Sequence, residues 1–592
     1  MNGEATNMDA NPIGGDADNQ TSVPSIKKVP SAPDIFVKSI TFNDSTAIIM
    51  EPGDIIVIVG ANNCGKSQSL VDIQNCIRDT NPGVVVKKVE INCPDKLADY
   101  SAYFEDRFNT QMNGGNTFYT GVGFRVASWT FGSAGAKNGL RDVSGVFVRR
   151  LSTSERLSIC NPPDSVNVDD TPAHPIHLLA RDPAFRKKVT RRFKEAFGCE
   201  LIPDVMFGRT VPLRCVDDVP NMTGRESEDE ISRQEEFYKK LRKFPELDKQ
   251  GDGMRGFAGV LLNLIMDYVR VFLIDEPESF LHPPQARMMG NLIGEVIGDK
   301  QQVFIATHSE EIIRGLIQAC PDRVKVVRLN RVDNKNYAAT LDSKAFANVW
   351  GDPILRYSNI MAGMFHTKTV VCESDSDCQF YSAIDAHLKQ KEGRHPEALY
   401  VYSGGKSRFA VVARALRALK IDYKIVGDID LLNDEEYFKG LVDAIGLSWE
   451  DIEADYARLA SNLRVPRDKI VRAEAKSLIN KIIDGGSEIH LSRKEIVGVK
   501  EVVKIETKWD LLKHGGISVI PPGEPTQSWK TLNSKLMSHG LYLLPVGELE
   551  NFVKDVGGLH GPGWVTKVLS DYQDLDDSVY SQVSEFVRGL GV

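Results

Sequence analysis

Gly60-Ala61-Asn62-Asn63-Cys64-Gly65-Lys66-Ser67 follows the apolar run Asp54 to Val59 (DIIVIV) and leads into Gln68-Ser69-Leu70-Val71. The segment fits the P-loop spacing in full, and the apolar strand before it and the helical pattern after it are the context that this spacing needs. Each residue type has a task. The glycines let the backbone wrap a phosphate, and the backbone N–H groups of Gly60, Asn62, Asn63 and Gly65, with the helix N-terminus, supply positive potential. Lys66 reaches the β- and γ-phosphates, and the Ser67 hydroxyl ligates Mg2+. The expectation is an α/β fold holding ATP and Mg2+ at the end of a buried strand.

Two more apolar runs extend it. Val269 to Ile274 reads as a buried strand that delivers Asp275 and Glu276 at its C-terminal end, where α/β sheets form ligand sites. Neighbouring strand residues point to opposite faces, so the two acids take different tasks. Asp275 would hold Mg2+, and Glu276 would polarise the attacking water. Gln302 to Ala306 ends in Thr307-His308, placing an imidazole where it could contact the γ-phosphate.

Around these runs, 592 residues leave room for two large domains with insertions. The 42% hydrophobic and 26% charged residues are ordinary globular values, which excludes a fibrous or wholly disordered chain. With 72 Lys and Arg against 81 Asp and Glu, the net charge of −9 does not advertise a polyanion partner, so any nucleic-acid contact must use a local basic patch. The nine cysteines lack metal or redox-pair spacing and read as reduced thiols, hence a cytoplasmic protein. The most apolar stretch, Phe257 to Met266, is about half the roughly 20 residues that a membrane span requires. Residues 1–33, rich in Asn, Asp, Gly, Ser and Pro, read as a disordered lead-in. Residues 34–350 read as the nucleotide-binding domain, with a helical insertion near 223–249.

The α/β rhythm restarts in 365–592, with a helical insertion near 435–535. A strand from Thr369 to Cys372 ends at Glu373, with Asp377 at the start of a helix, and a strand from Tyr423 to Val426 ends in Gly427-Asp428-Ile429-Asp430. The i, i+2 spacing puts Asp428 and Asp430 on one face if the chain stays extended. Like charges gathered this way want a cation, and hard oxygen donors suit Mg2+ or Mn2+. Gly404-Gly405-Lys406-Ser407 lacks the first P-loop glycine and reads as a turn; Lys406 and Arg408 could touch a backbone phosphate. The run Arg186 to Lys194 is the densest positive cluster and could either track DNA phosphates or form a solvated helix face.

Asp275-Glu276-Pro277-Glu278, Leu281-His282-Pro283 and Ala306-Thr307-His308-Ser309 resemble the ABC-type ATPases of the SMC/Rad50 and OLD (overcoming lysogenization defect) group. The resemblance implies a dimer or higher homo-oligomer in which a signature segment of one subunit closes over ATP bound to the other. Gly251 and Gly253, in Gln250 to Arg255, would present N–H groups there, although the segment departs from the common Leu-Ser-Gly-Gly-Gln form. The second half is similar to the TOPRIM fold, and its attachment behind an ABC-type ATPase resembles the OLD family in particular. That family implies metal ligation by Glu373, Asp377, Asp428 and Asp430, a late acidic strand end at Glu548 and Glu550, and a basic residue at Lys567 that supports the transition state. Glu373-Ser374 stands where the family usually has Glu-Gly.

The reading is an α/β chain, an ABC-type P-loop ATPase domain followed by a TOPRIM α/β domain with helical insertions, acting as an ATP-hydrolysing, metal-dependent DNA endonuclease without a membrane partner. The catalytic set is Glu276, His308, Glu373, Asp428, Asp430 and Lys567. The resemblance implies bacterial antiviral defence, alone or with a helicase or a retron reverse transcriptase. An SMC/Rad50-like DNA clamp or sensor with inert acids, and a primase or topoisomerase, stay open from the residues.

Overall fold

A computed structural model describes residues 32–167, 169–220, 230–341, 351, 359–464, 471–485, 490–503, 508–554, 556 and 560–592. The lead-in expected over 1–33 lies outside them up to residue 31, as do 223–229 of the first expected insertion, 342–350 of the first expected domain, and 465–470, 486–489 and 504–507 of the second insertion.

The three apolar runs form the centre of a six-stranded sheet in the order Lys335–Leu341, Val324–Val332, Ile55–Gly60, Gln302–Ala306, Val271–Asp275, Val148–Leu151. All neighbours are parallel except the first pair, which is antiparallel. Strands buried on both faces read as unbroken apolar runs, which is why the central ones were legible. Ala306 sits level with Asp275 on one side and Ile58 on the other. The P-loop, the Asp275–Glu276 pair and Thr307–His308 therefore emerge together at the C-terminal edge.

A three-stranded antiparallel sheet, in the order Ala47–Ile49, Phe36–Phe42, Val86–Asn92, packs beside it. The expected insertion contains the helix Glu230–Leu241 and a short 3-10 turn, Leu247–Lys249, before the apolar helix Asp252–Leu264. Among the described residues no helix is long and apolar enough to cross a membrane. All nine cysteines are free.

The second sheet is four-stranded and wholly parallel, in the order Ala398–Tyr402, Lys368–Cys372, Tyr423–Gly427, Leu541–Leu543. Period-two alternation divides its side chains between two cores: Val371 and Ile425 join the core shared with the six-stranded sheet, whereas Val370, Cys372 and Val426 face a second cluster with Tyr381, Trp564 and Tyr580. Helices Glu435–Ile445, Glu453–Leu463, Arg472–Asp484, Arg493–Val503, Lys508–Gly515 and Glu524–Ser538 lie between its last two strands. The final strand is shorter than the sequence run through Val546, because Pro545 cannot donate to a ladder and Gly547 turns the chain at φ 103°.

Candidate functional site

The P-loop is built from backbone that few residues adopt. Gly60 has φ 146°, Asn63 60° and Gly65 99°, and a Cβ at Gly60 would come within 2.2 Å of the Leu329 carbonyl oxygen. Asn62 and Asn63 are exposed at the crest of the loop. Lys66, only 5% exposed, donates to the carbonyl oxygens of Gly60 (2.9 Å) and Ala61 (2.8 Å). Burial pulls its ammonium pKa down, opposed by Cys64, Glu276, Glu278 and Asp275. A cation folded back on its own loop among acids is poised for an incoming polyphosphate. The Ser67 hydroxyl donates to Asp275 Oδ1 at 2.9 Å, so the two expected Mg2+ ligands, separated by the whole sheet in sequence, are adjacent in space. Their hard oxygen donors fit that ion.

Glu276 takes φ 46°, an uncommon conformation for a side chain of this kind, and its amide donates to Ala306 O at 2.8 Å. His308 Nε2 lies 3.3 Å from Glu276 Oε1. Burial, then Lys66, lowers the imidazole pKa, while Glu276 and Asp275 raise it in part; the net effect favours a neutral ring. Two supporting residues, Glu278 and Arg156, were given no task from the sequence. Glu278, whose carboxyl pKa burial pushes up, accepts from Thr307 Oγ1 and the His308 amide, both at 2.7 Å. The buried Arg156 donates to the carbonyl oxygens of Asp275 and Glu276, the latter at 3.0 Å. It braces the turn that carries both acids.

Gly251 caps the helix Asp252–Leu264 and faces open space, and Gly253, in its first turn, lies so near the Phe280 carbonyl oxygen that a Cβ would stand 2.6 Å from it.

At the second sheet the acids follow the ends of three strands, Lys368–Cys372, Tyr423–Gly427 and Leu541–Leu543. Asp428 is raised to about 8, first by burial and then by Asp430, Glu373 and Asp377, with Lys513 opposing. Asp377 is raised to about 6 by burial first, with Glu373 and Glu550 adding and Ser374 opposing. One Asp377 oxygen accepts the Ser374 amide at 2.8 Å in a capping box that starts the helix Asp375–Lys391.

The structure corrects two expectations here. The strand ends at Gly427, and Asp428 caps a 3-10 turn, Ile429–Leu432, so Asp428 and Asp430 do not alternate along an extended chain. Asp430 turns to Lys406 Nζ at 2.9 Å. Glu373, Asp428 and Asp430 consequently do not bring three ligand atoms within 4.8 Å of one another, whereas Glu548, Glu550 and His560 do. His560 Nδ1 lies 3.4 Å from Glu550, and Glu550 accepts the Gly561 amide at 2.9 Å. Asp430 Oδ1 is buried with no hydrogen-bond partner. An orphaned carboxylate oxygen beside an oxygen-rich donor set fits a hard divalent cation.

Lys567 is exposed on the helix Pro562–Asp571, and no described hydrogen bond or ion pair ties it to these acids. The cations that reach them are Lys406 and Lys513, the latter with His514 against Glu548. The basic run on the helix Pro183–Phe197 is largely engaged within the protein. Arg186 donates to Leu179 O and Ala180 O, Arg192 pairs with Glu195 and Glu295, and Lys194 with Glu200.

A family model described as an AAA ATPase domain matches residues 225–313, the stretch that carries Gly251, Asp275, Glu276 and His308. The chain contains a nucleotide-binding ATPase domain. No curated protein sequence matches the chain. Among solved structures, an SMC head bound to the C-winged helix domain of ScpA is 12% identical, covering 53% of this chain and 99% of its own at a TM-score of 0.31. The SMC head domain from Thermotoga maritima is 14% identical, covering 52% and 98% at 0.26. A nucleotide-free ATP-binding cassette from an ABC transporter is 11% identical, covering 55% and 98% at 0.24. These likenesses are too weak to carry an argument.

Proposed function

We propose that the protein is an ATP-hydrolysing, metal-dependent DNA endonuclease of the OLD type, with residues 365–592 as its TOPRIM nuclease domain. The observation that carries the second half is the gathering of Glu373, Asp377, Asp428, Asp430, Glu548 and Glu550 at one edge of a parallel sheet, with Asp428 raised to about 8. Asp428 and Asp377, both raised by burial and by neighbouring carboxylates, ionise more readily when a cation joins the cluster. Glu548, Glu550 and His560 would hold a divalent ion, with Asp428 and the orphaned Asp430 oxygen beside it. A bound Mg2+ or Mn2+ ion supplies charge stabilisation for displacement at phosphorus. In the overall reaction water adds to phosphorus, one P–O ester bond breaks, and the leaving oxygen takes a proton that derives from that water.

In the first half, Lys66 binds the phosphates, Ser67 and Asp275 hold Mg2+, Glu276 orients water and neutral His308 holds Glu276. Gly251, open at a helix N-terminus, supports a dimer in which each subunit covers the other's ATP. The defence role follows from the OLD resemblance. One observation favours a second reading, an ATP-driven clamp or sensor with inert acids: among the described residues, Glu373, Asp428 and Asp430 do not form a three-ligand cluster. Incubating purified protein with supercoiled plasmid in Mg2+, Mn2+ or EDTA separates the two. Metal-dependent nicking supports the endonuclease; intact plasmid in every nucleotide state supports the clamp.

A further inference from the structure

Resting on the nuclease reading, we propose that Lys513 is a substrate-contacting residue of this site, its ammonium binding a non-bridging oxygen of the DNA phosphate that is cut. Lys513 belongs to the helical insertion, far in sequence from Glu373 and Asp428, and its position is fixed by packing. Trp509 and Leu512 of the helix Lys508–Gly515 are buried in the core, and the helix packs on the Ile429–Leu432 turn that carries Asp430. Asn551 Nδ2 donates to the Lys513 carbonyl oxygen at 2.9 Å. Gly547 approaches that same oxygen so closely that a Cβ would stand 2.1 Å from it, and its own carbonyl accepts the Ile429 amide at 3.1 Å. One glycine thus ties together the Asp428 turn, the Glu548 strand end and the backbone of Lys513.

The side chain itself is loosely held. Its Nζ lies 3.5 Å from Glu548 Oε2 and 43% of the side chain is exposed, whereas Glu548 is buried. Asp430 and Asp428 also act on the ammonium. An open ion pair of this length exchanges partners at little cost. When a cation takes up the Glu548 charge, the ammonium is free for a phosphate, which it binds as a compact point charge. A phosphodiester approaching so many carboxylates needs such a group, and among the described residues Lys567 makes no hydrogen bond or ion pair to these acids. Lys406 is already committed to Asp430 at 2.9 Å.

The test uses full-length protein and a labelled duplex oligonucleotide. At saturating Mg2+, Lys513→Ala and Lys513→Gln are expected to cut on the order of 10²-fold more slowly than wild type. Lys513→Arg should recover part of the rate. In the Asp428→Ala background, removing Lys513 should flatten the plot of log binding constant against log salt by about 0.9, the signature of one lost phosphate contact. An unchanged slope, or a Lys513→Ala rate restored by more Mg2+, overturns the proposal, because Lys513 would then only tune Glu548. Full-rate cutting by Lys513→Ala while Asp428→Ala is dead removes the Lys513 assignment and leaves the site standing. A wild type that never cuts removes both.

Discussion

Lys66 aims its ammonium at two carbonyl oxygens of its own loop, and phosphate oxygens are the natural replacement for them. Lys66→Ala should therefore abolish ATP binding, measured by titration with a fluorescent nucleotide; unchanged affinity would refute the role. The Glu276 carboxylate sits 3.3 Å from His308, and Arg156 braces the Asp275 turn through backbone carbonyls that the substitution keeps, so Glu276→Gln should keep ATP affinity and slow turnover by about 10²- to 10⁴-fold. At the second site, Asp428 (about 8) and Asp377 (about 6) titrate far above a free carboxyl in the folded chain. The folded state binds the extra protons, so the stability they contribute is full below about pH 4 and is lost as pH rises through 6 and then 8. Metal-free protein in EDTA should melt at falling temperature from pH 5 to 8.5, and Mg2+ should raise the melting temperature more at pH 8 than at pH 5.5. A flat profile would contradict the burial of these acids. P-loop chemistry was legible because its spacing is local. Arg156, Lys513 and His560 were not, because each meets its partners only through the fold, and an isolated Arg, Lys or His carries no pattern.

The helix Asp252–Leu264 positions Arg156 by contact alone. Gly259 lies against Arg156, where a Cβ would stand 2.1 Å from the Arg156 carbonyl oxygen, and Arg156 braces the Asp275–Glu276 turn. Gly259→Ala should cost about 1–3 kcal/mol by overpacking and slow ATP turnover as Arg156 shifts. Denaturant melts with parallel ATPase rates check it; wild-type values for both would mean the helix contact is tolerant. Strands buried on both faces were legible as apolar runs, to within a residue or two at their starts. The edge strand Val148–Leu151 was not singled out, because Arg149 and Arg150 interrupt its apolar signal. The Asp428–Asp430 spacing misled for a different reason: alternation holds only in extended chain, and the 3-10 turn after Gly427 ends it.

The two sheets share one core and a buried arginine link. Arg328, on the strand beside the P-loop strand, donates to Lys420 O and His366 O, both at 3.0 Å, just before strands that lead to Asp428 and Glu373. Arg328→Ala leaves those carbonyls without their partner and should lower stability by about 1–3 kcal/mol, read from denaturant melts. An unchanged midpoint would show the link to be dispensable. The order of the two α/β units was legible from the rhythm of strands and acids, whereas the meander between Asn109 and Ala127, rich in polar and exposed residues, had no such rhythm. The decisive measurement sets wild type beside Asp428→Ala and follows ATP turnover and Mg2+-dependent plasmid cutting in the same preparations. A wild type that does both, and a variant that hydrolyses ATP at a near-normal rate but leaves plasmid intact, is the expected result. Plasmid cut equally by both proteins, or by neither, would contradict a nuclease centre at Asp428.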